Sequence, residues 1–111
     1  MNIEQLRDYC LSKPEAEECF PFGVETPVYK VTNKMFLLTS FNSSPLQFNV
    51  KCDPEKALEL REEYACIIPG YHMNKKYWNT VIIDGTLSTQ QLKALIDDSY
   101  ALVKAKKKSI L

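Results

Sequence analysis

The run Leu46–Lys51 constrains the fold more than any other part of the chain. Leu46, Phe48 and Val50 alternate with Gln47, Asn49 and Lys51. A strand's period of two sends the first set to one face and the second to the other. One packed face and one wet face mark an antiparallel sheet covered on a single side. Asp53-Pro54 follows at once. Asp caps the first turn of a helix, and Pro suits its first position, where no backbone N–H is needed. A strand that hands over directly to a helix predicts two layers, with helices on one sheet face and the other face at least partly open.

The other segments fit this scheme. Asn2 with Gln5, and Ser88 with Gln91, are capping boxes that start helices near the two ends of the chain. The first helix is predicted to run to about Leu11, short of Pro14. The last carries Leu92, Leu95, Ile96, Ser99 and Val103 on one face. The middle helix, ending near Tyr64, is predicted to turn Ala57, Leu58, Arg61 and Tyr64 to one side. Residues 28–32 and 35–41 are strand-like, with Asn33-Lys34 between them as a hairpin turn. Residues 66–68 and 78–84 complete the strands, and Glu15, Glu17 and Glu18 fall in an acidic turn. The expected fold is α+β: a two-layer sandwich of three helices on a mostly antiparallel sheet of four or five strands. It forms one domain over residues 1–111.

Charge narrows the function. The 14 basic and 14 acidic side chains cancel, which argues against a surface that is basic all over. The distribution is uneven. Residues 1–25 carry six acids and two bases, residues 64–83 carry Lys75 and Lys76 without a carboxylate, and residues 101–111 carry four lysines. Cys10, Cys19, Cys52 and Cys66 show neither C-x-x-C nor a zinc spacing. With no leader-like start, they are expected to be reduced and mostly buried. No apolar run reaches the ~20 residues of a membrane span. The expectation is a cytoplasmic protein without membrane contact, metal or cofactor.

Five blocks in order carry a family resemblance: LRDYCLSKPEAEECFPFG at 6–23, VYKVTNKMF at 28–36, NVKCDP at 49–54, PGYHMNKKYWNTVIIDG at 69–85 and LIDDSYALV at 95–103. Together they resemble the MmcQ/YjbR family of small bacterial proteins, over nearly the whole chain. The resemblance implies a frataxin-like, or double-wing, fold and a binding role commonly given as DNA binding. It brings no catalytic motif, and a fold by itself does not establish a function.

Within residues 69–80, bases interleave with flat side chains. Lys75 and Lys76 would meet phosphates, Trp78 or a Tyr would stack, and His72, Asn74 and Asn79 would supply directional hydrogen bonds. Tyr71, Met73 and Trp78 serve equally well as core, with the lysines on a solvated turn. Lys30, Gln47, Asn49 and Lys51 mark the polar sheet face, joined by Trp78 and Thr80 if their strand lies alongside. A solvated face without a partner is the plainer alternative. Lys104 and Lys106–Lys108 read more simply as a solubilising end than as a contact, and the acidic cluster as solvated rather than metal-binding. His72 is the single histidine and so the sole imidazole for acid–base chemistry. No nucleophile motif or glycine-rich phosphate loop accompanies it. The expected function is a non-enzymatic binding module for DNA, using Lys30, Asn49, Lys51, His72, Asn74, Lys75, Lys76, Trp78 and Asn79. A protein-interaction adaptor is the alternative, and an enzyme built on His72 the third reading.

Overall fold

A computed structural model describes residues 1–70 and 73–105. Its sheet has six strands, β1 Glu17–Cys19, β2 Val28–Val31, β3 Lys34–Thr39, β4 Gln47–Lys51, β5 Ile67–Pro69 and β6 Trp78–Ile82. They run in the order β1-β2-β3-β4-β6-β5, every neighbouring pair antiparallel. Helices α1 Ile3–Ser12, α2 Pro54–Glu63 and α3 Thr89–Ala105 pack against it. Leu6 and Cys10 of α1 and Leu92, Ile96 and Val103 of α3 share one core with Leu37, Phe48, Val50 and Val81 of the sheet. This is the two-layer α+β arrangement that the alternation in β4 predicts. Among the described residues no helix is long and apolar enough to cross a membrane.

Local chemistry starts the helices where expected. Asn2 Oδ1 accepts from the Gln5 N–H at 2.8 Å while Gln5 Oε1 accepts from the Asn2 N–H at 2.9 Å. Ser88 and Gln91 repeat the exchange at 2.8 and 3.1 Å. On α2 the expected inner side needs correction, because Leu58 is 56% exposed. Leu60 packs on the core in its place, and Tyr64 does so as expected. They follow the buried Ala57 at +3 and +7, which leaves Leu58 about 100° round the helix from Ala57 and outside.

The β2–β3 hairpin also differs by one residue from its expected position. Its two-residue turn is Thr32-Asn33, with φ of 50° and 62°, and Lys34 already pairs with Val31. Two left-handed residues in succession give the turn whose twist matches that of the flanking strands. Farther along, Tyr29 pairs with Leu37 but Lys30 with Met35. Phe36 is therefore the extra residue of a β-bulge, and both Phe36 and Leu37 are buried.

The sixth strand is β1, where an acidic turn was expected. Glu17, Glu18 and Cys19 pair with Lys30, Tyr29 and Val28. Arg7 makes this strand tenable. Its Nε and Nη2 donate to the two Glu18 carboxylate oxygens at 2.8 and 2.9 Å, and the Tyr29 hydroxyl donates to the same carboxylate at 2.7 Å. The bond from Arg7 holds the Glu18 carboxyl below its ordinary range. A carboxylate whose folded pKa is lowered contributes stability above its unfolded pKa and loses it as pH falls through the folded value. Glu18→Ala should therefore cost about 1–3 kcal/mol at pH 7, because the buried Tyr29 hydroxyl loses its acceptor. It should also flatten the acid side of the stability profile. Urea unfolding of both proteins between pH 7 and about pH 3 measures this. Parallel curves down to the acid end would refute it.

Candidate functional site on the uncovered sheet face

Strand parity sorts the candidate residues. Asn49 stands opposite Thr80, and Lys51 opposite Trp78. With Phe48 and Val50 committed to the core, these four occupy the sheet face away from the helices, together with Gln47 and Leu38. Asn79 does not join them. It stands opposite Val50, is 1% exposed, and its Nδ2 donates to the Ala57 carbonyl of α2 at 3.3 Å. The expected surface contact is thus a packing residue beneath α2. A strand that shows Trp78 and Thr80 to one side must show Asn79 to the other.

Asn74 also has a structural task. Its Oδ1 accepts from the Lys76 N–H at 2.9 Å, and its carbonyl accepts from the N–H groups of Tyr77 and Trp78 at 3.2 and 3.0 Å. These bonds fold the tight turn that leads into β6. Arg61 of α2 braces it, donating from Nη2 to the Lys75 carbonyl at 3.1 Å. The braced turn leaves Lys75 and Lys76 exposed. It also places the Tyr77 ring near two cations: Lys51 Nζ lies 5.7 Å and Lys76 Nζ 5.6 Å from the ring centre. Each is within reach of the ring's negative face. Lys30 stays apart from this group. It stands opposite Glu17 and Met35, two strands away from β4, or about 10 Å at ordinary strand spacing. His72, Tyr71 and Lys106–Lys108 lie outside the described residues.

The uncovered face carries a cleft of about 390 Å³. Met35, Leu38, Gln47 and Asn49 line it from β3 and β4, and Phe22 and Met73 line it from the flanking loops. Asn49 is 8% exposed, and its Oδ1 accepts from Thr80 Oγ1 at 2.5 Å. Phe22 is 67% exposed. Sequence reasoning passed over Phe22, Met35, Leu38 and Met73 because apolar side chains read first as core. Strict alternation would have put Met35 and Leu38 on opposite faces, and only the bulge at Phe36 brings them to the same one.

Other reactive groups are occupied or quiet. Burial pushes the Cys10 thiol up to about 12, and burial likewise raises Cys52 and Cys66. Such thiols are held away from the nucleophilic thiolate. The acidic side chains do not converge: Glu18 is held by Arg7, and Glu15 lies 3.7 Å from Lys104.

Comparison with known proteins adds the following. The YjbR family model matches residues 11–102. The chain is 41% identical to the uncharacterized protein YbdF of Escherichia coli O157:H7, over 90% of this chain and 82% of that protein. It is 33% identical to the uncharacterized protein YjbR of Escherichia coli K12, over 90% of this chain and 85% of that protein. A crystal structure of a Deinococcus radiodurans protein superposes with a TM-score of 0.90 at 41% identity, covering 96% of this chain and 80% of that one.

Proposed function

The chain belongs to the YjbR family, and we propose that it is a DNA-binding module that lays a single strand along the uncovered sheet face. One observation carries this reading: the Lys51 and Lys76 ammonium groups lie 5.7 and 5.6 Å from the Tyr77 ring centre, where β4 ends and β6 begins. A flat ring with two cations close by suits a single-strand platform. The ring offers a stacking surface to a base of any sequence, and the cations neutralise the phosphates on either side of it. Trp78 extends the aromatic surface from its place opposite Lys51. Lys75, exposed on the same turn, adds a third charge. Asn74 and Arg61 act one step removed, by holding the turn in shape.

With a net charge of zero, attraction is local and the affinity rests on few phosphate contacts. Fluorescence anisotropy of a labelled single-stranded oligonucleotide over a range of salt concentrations tests this. Binding should weaken with salt, and each phosphate contact contributes about 0.7 to the slope of log K against log salt. Lys51→Ala combined with Lys76→Ala should lower that slope by about 1.4 and weaken all sequences alike. No binding at low salt, or an unchanged slope in the double variant, would overturn the reading. A partner recovered by pull-down and insensitive to nuclease would then favour a protein-interaction adaptor.

A further inference from the structure

We infer that the cleft between β3–β4 and the Phe22 and Met73 loops receives one unstacked nucleobase of the bound strand. This inference rests on the DNA-binding reading above. It specifies which part of the ligand enters the fold and which part stays on the rim.

Three properties of the cleft select that occupant. First, no charged side chain among the described residues lines it. A phosphate or carboxylate buried there would meet no cation, and an ammonium no anion, so the guest is uncharged. Second, its walls and part of its floor are soft and apolar. Phe22 offers a ring face, and Met35 and Met73 offer polarizable thioethers that pack well against aromatic edges and faces. Its volume of about 390 Å³ is near the lower end of small-molecule sites, roughly 300–1,000 Å³. That suits one ring system and is small for a peptide. Third, the polar lining includes two primary amides, Gln47 and Asn49, beside the hydroxyl side chains of Thr26, Thr39 and Ser40. Thr80 Oγ1 donates to Asn49 Oδ1, which leaves the Asn49 amide nitrogen as the group to offer a guest. Gln47 supplies both a donor and an acceptor. Side-chain amides of this kind pair with base edges, where donors and acceptors alternate at similar spacing.

The position of the cleft fits the same ligand. Gln47, Asn49 and Lys51 lie at every second position of β4 and so on one face. Lys51 is therefore only about 7 Å along the strand from Asn49. A neutral pocket that close to a pair of cations matches a neutral base attached to a charged backbone. The base would enter beside Asn49, and its neighbouring phosphate would rest at Lys51 and Lys76.

The experiment compares two oligonucleotides of equal length and charge, oligothymidine and the same backbone without bases. Loss of the bases should weaken binding about tenfold or more, since stacking and the cleft contacts both go with them. Phe22→Ala and Gln47→Leu should each weaken oligothymidine several-fold while leaving the salt slope unchanged, because neither removes a phosphate contact. Phe22 is largely exposed, so folding is not at stake in its variant. A separate arm uses the uncharged nucleoside thymidine at millimolar concentration. The side-chain NH₂ signals of Gln47 and Asn49 should shift in the NMR spectrum. If oligothymidine binds with the expected salt dependence but both cleft variants bind like the parent, the cleft inference falls and the DNA-binding reading stands. If no oligonucleotide binds, that reading falls, and thymidine alone decides the cleft: unmoved Gln47 and Asn49 signals would overturn it.

Discussion

Phe36→Ala is expected to lower stability by about 3–5 kcal/mol, the range for removing a buried aromatic and leaving a cavity. For a domain of this size that lowers the melting temperature by roughly 15 °C. Phe36 is fully buried, and its ring meets Tyr100 of α3 edge-on, with centroids 5.3 Å apart and planes at 87°. An edge-to-face pair of this kind adds to the burial itself. The loss would spread beyond the ring. Tyr100 also donates its hydroxyl to the Pro14 carbonyl at 2.5 Å, which ties α3 to the end of α1. The Phe36 carbonyl accepts from Ser99 Oγ at 2.5 Å, and Ser99 Oγ in turn accepts from the Lys51 N–H at 2.8 Å. One bulge residue thus joins α3, β3 and β4 at a single point. Phe36→Leu fills more of the space and should lose distinctly less. Thermal and urea unfolding of both variants give the answer. A loss under about 1 kcal/mol for Phe36→Ala would mean that the site collapses without cost and that Phe36 is not the keystone described.

The bulge also shows where the sequence stops being legible. β4 and α3 were readable because their patterns repeat without interruption, and the three helix starts because a capping side chain acts within four residues of its partner. Met35-Phe36-Leu37-Leu38 is apolar throughout, so alternation carries no phase there. Nothing local announces that Phe36 is an extra residue. β1 was hidden for a different reason. Its two glutamates read as solvated, and Arg7 and Tyr29, each eleven residues from Glu18, make a half-buried carboxylate acceptable. That pairing is tertiary, and no window along the chain contains it as a pattern. At the candidate site, the position of Asn79 could have been read from parity alone, once Trp78 and Thr80 were assigned to the open face. The cleft could not, because it exists only where two loops far apart in sequence bring Phe22 and Met73 over one pair of strands.

Gly70→Val should cost about 3 kcal/mol, the upper end of the usual cost of overpacking, and Gly70→Ala should lie between it and the parent. Gly70 follows β5 directly, and its N–H donates to the Trp78 carbonyl at 2.9 Å. Side chains directly opposite in an antiparallel pair normally keep their Cβ atoms about 4.5–5.5 Å apart. Here a Cβ on residue 70 would lie 2.9 Å from Trp78 Cβ and 3.0 Å from the Trp78 carbonyl oxygen. The pinch involves backbone and a first side-chain carbon, so no rotamer change relieves it. Either β5 moves away from β6 or the chain after Gly70 is redirected. Both responses would disturb the start of β6, where Trp78 stands opposite Lys51 and beside the Tyr77 turn. The variant therefore separates packing from binding. Trp78 is the single tryptophan, so its emission reports the local change directly, and urea unfolding reports the total. A Gly70→Val protein with parental emission and stability would show that the two strands part freely at this point. A protein that keeps most of its stability but shows shifted emission and a reduced salt slope toward oligonucleotide would tie the close approach of Gly70 and Trp78 to the geometry of the cation group.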